Sequence, residues 1–337
     1  MPPLNTHSLV ISNIALSTAL GNNAASIAHL LLKKTSAAIT NEYLTAIGKN
    51  DCLVPVITAP MHDLQFLHSQ DRIVEIFLKT LEPLILKLPK DLNFSRLLFY
   101  VLLPASNSYR RRWISPEILH KNLILRFGHL FADIDKCTVQ GHEFHSDCSE
   151  HFNRISEMLS QEKNKSAWDM VIFGAVDSLI NLETIEEYIA SGNIRKQGDL
   201  SSEMPGEGAA FLMLQREQDV PTENLGVKLQ NIPDYLEIPR LNMIVTDRPC
   251  TTNAEVDWYE RSKKLWPSIA PPEIRTQRWL GNLGAAHGPL MFALAYGILN
   301  ELISEENAAP IVGIFENAYL GSFYKLIIRN SSHSNNI

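Results

Sequence analysis

Leu97–Leu103 is an unbroken apolar run bounded by polar residues. A run of that length predicts a strand buried on both faces of a largely parallel sheet. Asp169–Gly174 predicts a second buried strand that ends in the small-residue turn Gly174-Ala175-Val176-Asp177-Ser178, and Ala210–Leu214 predicts a third. His7–Leu16 alternates loosely and reads as the first strand. Val227–Gln230, Met243–Val245, Ile311–Phe315 and Phe323–Arg329 read as shorter ones. Between them the apolar period changes to that of a helix. Ala24, Ile27, Leu30 and Leu31 share one face of Ala24–Lys34. Val74, Phe77, Leu78 and Leu81 share one face of Arg72–Leu88, where Pro83 predicts a kink. Phe152, Ile155 and Leu159 point inward from Ser149–Leu159. A helical stretch follows the Gly174–Ser178 turn. Asn253–Leu265 is helical, and Gly284–Leu302 is a long apolar helix entered through a Gly/Ala-rich turn. Strands alternating with helices give an α/β protein.

Composition narrows the function without naming it. The 337 residues make one large domain or two fused ones, with 45% apolar and 20% charged residues, an ordinary globular balance. A net charge of −7 and a pI near 5.9 argue against non-specific nucleic-acid binding. The basic run Arg110-Arg111-Arg112 beside Trp113 reads as a solvated loop rather than a patch for an acidic partner. The N-terminus lacks a basic segment followed by an apolar one. Ile85–Leu103, the most apolar stretch, is broken by Lys87, Pro89, Lys90 and Asp91. No membrane association and a cytoplasmic location are therefore expected. Cys52, Cys137, Cys148 and Cys250 lack CxxC spacing, so neither a metal, a cofactor nor a disulfide is expected.

The stretch 168–215 carries more. Its buried strand runs into Gly174–Ser178, a helix follows, and a Gly-punctuated loop reaches Pro205-Gly206-Glu207-Gly208-Ala209-Ala210 before the next strand. This order resembles the β-ketoacyl synthases of the thiolase superfamily, where a strand ending GG-(A/V)-(D/E)-S leads through a helix to (P/M)-GEGA and a strand. The opening strand, Gly21-Asn22-Asn23 and the helix to Lys34-Thr35-Ser36 are similar to the same family, which has a glycine where Lys34-Thr35-Ser36 stands. The resemblance implies a duplicated, thiolase-like αβαβα layered fold: two stacked sheets with central helices. It also implies a single unit over 1–330 with halves of about 1–205 and 206–330, and a disordered tail at 331–337. Gly174 and Gly206–Gly208 are expected at tight turns between elements.

Ketosynthases condense acyl and malonyl groups with a cysteine at a helix start and two histidines. The cysteine segment, TACSSG in the family, corresponds to Val139–Ser149 here. His145 stands near the nucleophile slot, and Cys148 lies about one helical turn further on. Cys148 is open to two readings, a displaced nucleophile or a half-buried cysteine at a helix start, the second being preferred. Asp147 would oppose its thiolate, and His142 and His145 then read as polar loop residues. The first histidine, in HGTGT…D..E, is replaced by Thr246 or Asp247. The second, in K…GH..GAAG, is replaced by Asn282 when Gly284-Ala285-Ala286 is matched. His287 is either a shifted histidine or, as preferred, a residue at the helix start satisfied by backbone. The glycine-rich gate loop FGFGG.N keeps only Gly321 within Phe315–Phe323.

The residues that build the fold survive and those that do the chemistry are altered. The expectation is a non-catalytic ketosynthase-like partner subunit or adaptor. It resembles either a polyketide chain-length factor or a short thiolase-like accessory protein of a bacterial secretion-effector operon. The competing reading is a divergent acyltransferase that uses Cys148 with His145 or His287. The expected partners are a second copy or a ketosynthase-like subunit paired through Leu159–Val176, an acyl carrier protein, or a secreted effector.

Overall fold

The computed structural model describes residues 9–48, 51–88, 96–131, 137–144, 148–160, 168–199, 201–220, 227–232, 241–249, 251–303, 310–316 and 323–328. His145, Asp147, Cys250, the gate positions 317–322 and the tail lie outside the described residues.

The chain runs β1 (Leu9–Thr18), α1 (Ala24–Leu32), β2 (Ile39–Ile47), β3 (Leu53–Thr58), α2 (Ser69–Leu86), β4 (Leu97–Leu103), α3 (Pro116–Phe127) and β5 (Cys137–Glu143). It continues α4 (Ser149–Ser160), β6 (Met170–Ser178), α5 (Leu182–Ala190), β7 (Glu207–Arg216), β8 (Val227–Ile232) and β9 (Met243–Thr246). The last elements are α6 (Thr252–Leu265), β10 (Glu273–Arg275), α7 (Thr276–Leu280), α8 (His287–Ile303), β11 (Ile311–Phe315) and β12 (Phe323–Ile328).

Ten of these strands follow the order β5-β4-β6-β7-β1-β8-β12-β11-β9-β10. The pairing repeats itself. From β1 outward the neighbours run antiparallel (β7), antiparallel (β6), parallel (β4), parallel (β5). From β8 outward they run antiparallel (β12), antiparallel (β11), parallel (β9), parallel (β10). The fold is therefore duplicated at the level of strands. The expected two sheets are bridged into one ladder where Val10 and Ile11 pair with Lys228 and Val227. The repeat changes over between β7 and β8, later than the boundary expected near 205, because β7 is held between β1 and β6.

Alternating side chains of each half-sheet serve two layers. Leu98, Tyr100 and Leu102 of β4 join a core with α1, α4 and α8. Leu97, Phe99, Val101 and Leu103 join the core under α2 and α3. On the far side Ile244 and Phe315 pack against Trp258 of α6. The layers are helix, sheet, helix, sheet, helix. Helix α8 is apolar all round, as a central helix must be, and touches β1, β6 and β7 as well as β9, β11 and β12.

Several expectations need correction. β6 does not turn at Gly174; it stays extended to Ser178. Gly174 is needed because a Cβ there would overlap the Ala210 carbonyl and Phe211 of β7, a close backbone approach within the sheet. Gly208 likewise sits within β7, where a Cβ would stand 2.6 Å from the Ser17 carbonyl oxygen. The Leu159–Val176 region is not an edge: β6 lies between β4 and β7. The edge of the first half is β5. His142, expected in a loop, belongs to that strand. The hairpin β2–β3, α3 and β5 were not foreseen, because their outward faces are polar or half-exposed and give no buried pattern.

Candidate functional site

The site is built where α4, α8, β9 and β11 come together. Cys148 precedes α4, and its carbonyl accepts the amide of Phe152 at 2.9 Å, the first bond of that helix. The thiol-bearing residue is wholly buried rather than half-buried. Its own amide donates to Glu316 Oε2 at 2.9 Å. Glu316 follows β11 directly and is also buried. Its carboxylate therefore occupies the positive end of α4, where a free amide would otherwise attract an anion. Gly288, in the first turn of α8, packs against both groups. A Cβ there would lie 2.7 Å from Cys148 Sγ and 2.7 Å from Glu316 Oε1.

His287 starts α8 and is almost completely buried. Its Nε2 lies 2.5 Å from Thr276 Oγ1, and Thr276 gives its single hydroxyl proton to the Thr246 carbonyl at 2.9 Å. Thr276 can then only accept, so His287 carries its proton on Nε2. Nδ1 has no hydrogen-bond partner among the described residues. Burial pushes the imidazole down to about 4, so it is neutral near pH 7. The expected backbone partner is thus replaced by a threonine hydroxyl.

Asn282 is committed elsewhere. Its amide nitrogen donates to Glu203 Oε2 at 2.9 Å, and its oxygen accepts the Gly284 amide at 2.9 Å. Its backbone bonds to Met204 and Gly206 tie α7 to the chain before β7. Gly284, at φ +56°, sits in the left-handed region, and a Cβ there would overlap Asp177 Oδ2. Asp177 also accepts the Ala285 amide at 2.9 Å and is paired with Arg110. The basic run is thus no solvated loop. Tyr109–Trp113 is a short 3-10 helix, and Arg110 neutralises a wholly buried carboxylate.

Glu207 of the GEGA segment is held by Arg72, with Nε 2.6 Å from Oε2, by the Ser178 hydroxyl at 2.8 Å and by the Met61 amide at 2.6 Å. This carboxylate fastens α2 to β7. Thr246, expected from the resemblance at the first histidine position, donates to Glu273 at 2.7 Å. Arg248 reaches Glu273 at 2.9 Å and also pairs with Glu255, while Arg275 meets Glu255 at 2.5 Å. Asp247 follows Thr246, half-buried.

Sequence reasoning missed a second cluster. Tyr100 Oη lies 3.0 Å from His151 Nδ1, and the His142 ring stacks on Tyr100 at 3.7 Å. Burial first, then the charges of His151 and Arg154, hold His142 down at about 4. Burial also raises the Tyr100 hydroxyl to about 12. A sequence shows no period linking β4, β5 and α4, so nothing in it joined these rings.

No protein-family model and no curated sequence matches the chain. Solved structures do. A mutant form of the ketosynthase from module 6 of the bacillaene synthase of Bacillus subtilis 168 superposes with a TM-score of 0.63 at 12% identity, over 95% of this chain and 72% of that one. The fold is that of ketosynthases. The ishigamide ketosynthase/chain length factor gives a TM-score of 0.62 at 12% identity, over 96% and 99% of the two chains. The AntDE:AntF complex, a type II polyketide acyl-carrier protein with its ketosynthase bound to the hexaketide, gives 0.62 at 10%, over 96% and 98%. Among the described residues no helix is long and apolar enough to cross a membrane, and no His, Cys, Asp and Glu group is placed to hold a metal.

Proposed function

We propose that this chain is a ketosynthase-like protein that does not condense acyl groups and serves as a partner subunit or adaptor. One observation carries the reading: the amide of Cys148, at the start of α4, is already given to a buried carboxylate, Glu316. Condensation needs backbone donors free to hold an oxyanion and a thiol free to become a thiolate. The two candidate histidine substitutes support the same reading, since Asn282 is bound into a turn and His287 Nε2 is committed to Thr276. Residues 1–330 act as one unit. Its partner is a second copy or a ketosynthase-like subunit in the manner of a chain length factor, with an acyl carrier protein as a second candidate partner. β5 is at the edge of the ladder among the described residues, and that edge is the place for the subunit contact, since an unpaired edge strand needs covering.

The test incubates the purified protein with acylated and malonylated carrier and looks for β-ketoacyl product by mass spectrometry. No product is expected. Turnover that vanishes in Cys148→Ala would establish the divergent acyltransferase instead. Light scattering checks assembly: a dimer that Gln140→Pro converts to monomer supports the β5 contact, and a native monomer at micromolar concentration refutes it.

A further inference from the structure

We propose that the arginines gathered between α6 and α7 form a binding site for a phosphate dianion, free or carried by a small monoester, and that Glu255 occupies the site as an internal stand-in. Three guanidinium groups face this one carboxylate. Arg275 Nη2 lies 2.5 Å from Oε1, Arg278 Nη1 lies 3.8 Å from the same oxygen, and Arg248 Nη1 holds Oε2. Glu273 is bound by Arg248 on two sides, Nε to Oε1 at 3.3 Å and Nη2 to Oε2 at 2.9 Å, and takes the Thr246 hydroxyl as well. Among the described residues no other carboxylate pairs with any of the three arginines. The set therefore holds three positive charges against two negative ones. A phosphate dianion in place of Glu255 makes it three against three, and guanidinium forks match phosphate oxygens in shape. Arg275 carries the clearest sign of an unfilled role. Its Nε is buried and has no acceptor. That N–H shares an edge of the guanidinium with Nη2, an edge built to grip one anion through two parallel bonds, and Glu255 uses only one of them. Arg278 touches Glu255 only at ion-pair distance, and its side chain is 35% exposed. Burial pushes the Glu255 carboxyl up, but Arg275 and Arg248 outweigh it and hold the group below its ordinary value, so the stand-in is charged. Its side chain is 40% exposed, which leaves it a way out to water. The vacated place lies at the first turn of α6, the positive end of that helix. The cradle is held in shape beforehand. Arg248 lies over Trp258 at 5.5 Å and Arg278 over Trp279 at 5.2 Å, so indole faces support both guanidinium groups.

Isothermal titration calorimetry on the full chain in a chloride buffer tests the site with three probes: inorganic phosphate, glycerol 3-phosphate and acetate. The native protein should bind phosphate saturably, one per chain, and acetate at least roughly tenfold more weakly. The tighter of the two phosphates names the source, free phosphate or an ester. Arg278→Ala changes a partly exposed side chain and should weaken phosphate at least roughly fivefold. Glu255→Gln keeps the size of the stand-in, removes its charge, and should tighten phosphate at least roughly fivefold. Opposite shifts in these two variants distinguish an anion site from a set of purely structural ion pairs, whose loss would affect stability alone. Acetate that binds as tightly as phosphate overturns the proposal. So does the absence of saturable phosphate binding in both the native protein and Glu255→Gln, and so do phosphate affinities within about twofold of native in both variants. If Glu255→Gln loses the native far-UV circular dichroism, the Arg278→Ala affinity decides. Activity in the condensation assay bears on the non-catalytic reading and not on these affinities, so the two fail separately.

Discussion

At the scale of single residues, buried charge holds this molecule together. Glu207 and Arg72 are both buried and satisfy each other along with Ser178 and Met61. Removing one member leaves the other charged and unpaired, which costs about 3–5 kcal/mol. Glu207→Gln should lower stability by about that much in urea denaturation. Arg72→Met combined with Glu207→Gln should cost less than the sum of the two single changes. A sum that is fully additive would show that the pair does not act as a unit. His287 sets a pH dependence. Its folded value, about 4, lies below the ordinary 6.5, so the unfolded chain takes up its proton first as the solution is acidified. The stability it represents is complete above about pH 6.5 and is lost as pH falls toward 4, roughly 3 kcal/mol in all. His142 is displaced in the same direction and adds to the slope. His287→Gln should flatten the pH dependence of the urea midpoint in that window, and an unchanged slope would place the effect elsewhere. The sequence singled out candidate residues, but not what they touch. Glu316 and Cys148 are 168 positions apart, and only the fold brings the end of β11 to the start of α4. Arg110 looked like surface charge because its partner, Asp177, is 67 positions away.

Among elements, α8 carries the largest share of the core. Phe292 meets Phe152 of α4 edge-on at 4.9 Å, with Leu290, Met291 and Leu294 buried around it. Phe292→Ala should cost about 3–5 kcal/mol, read from chemical denaturation, because rigid strands on both sides limit collapse of the space left behind. A cost below 1 kcal/mol would mean that the two half-sheets close up over the gap. Strands such as β4 were legible because both faces are buried, and the uninterrupted run of apolar residues says so directly. β2 and β5 were not. β2 leaves Tyr43 and Ile47 exposed, and β5 alternates Thr138, Gln140 and His142 with its buried positions. A short strand that sets polar residues between its few apolar ones has no signature to separate it from a loop. Gly174 was read as a turn for a related reason. Its small size answers a crowded neighbour, Phe211 of β7, and a sequence does not show neighbours across a sheet.

For the whole molecule, two five-stranded halves meet at two residue pairs and are otherwise fastened by the central helices. Neither half covers its inner face alone, so the unfolding of one uncovers the other. Fluorescence and far-UV circular dichroism should follow one coincident transition in urea, and two separated transitions would show the halves to be independent. The same arrangement has a consequence in time. Synthesis starts at the N-terminus, and the last strand of the first half is complete at Arg216, whereas α8 is not finished until Ile303. At roughly 5–20 residues per second, the growing chain spends several seconds as a finished half-sheet whose apolar inner face has α1 and α4 against it but still lacks α8. Chaperone demand in the cell, on this account, is set by the order in which the message is read.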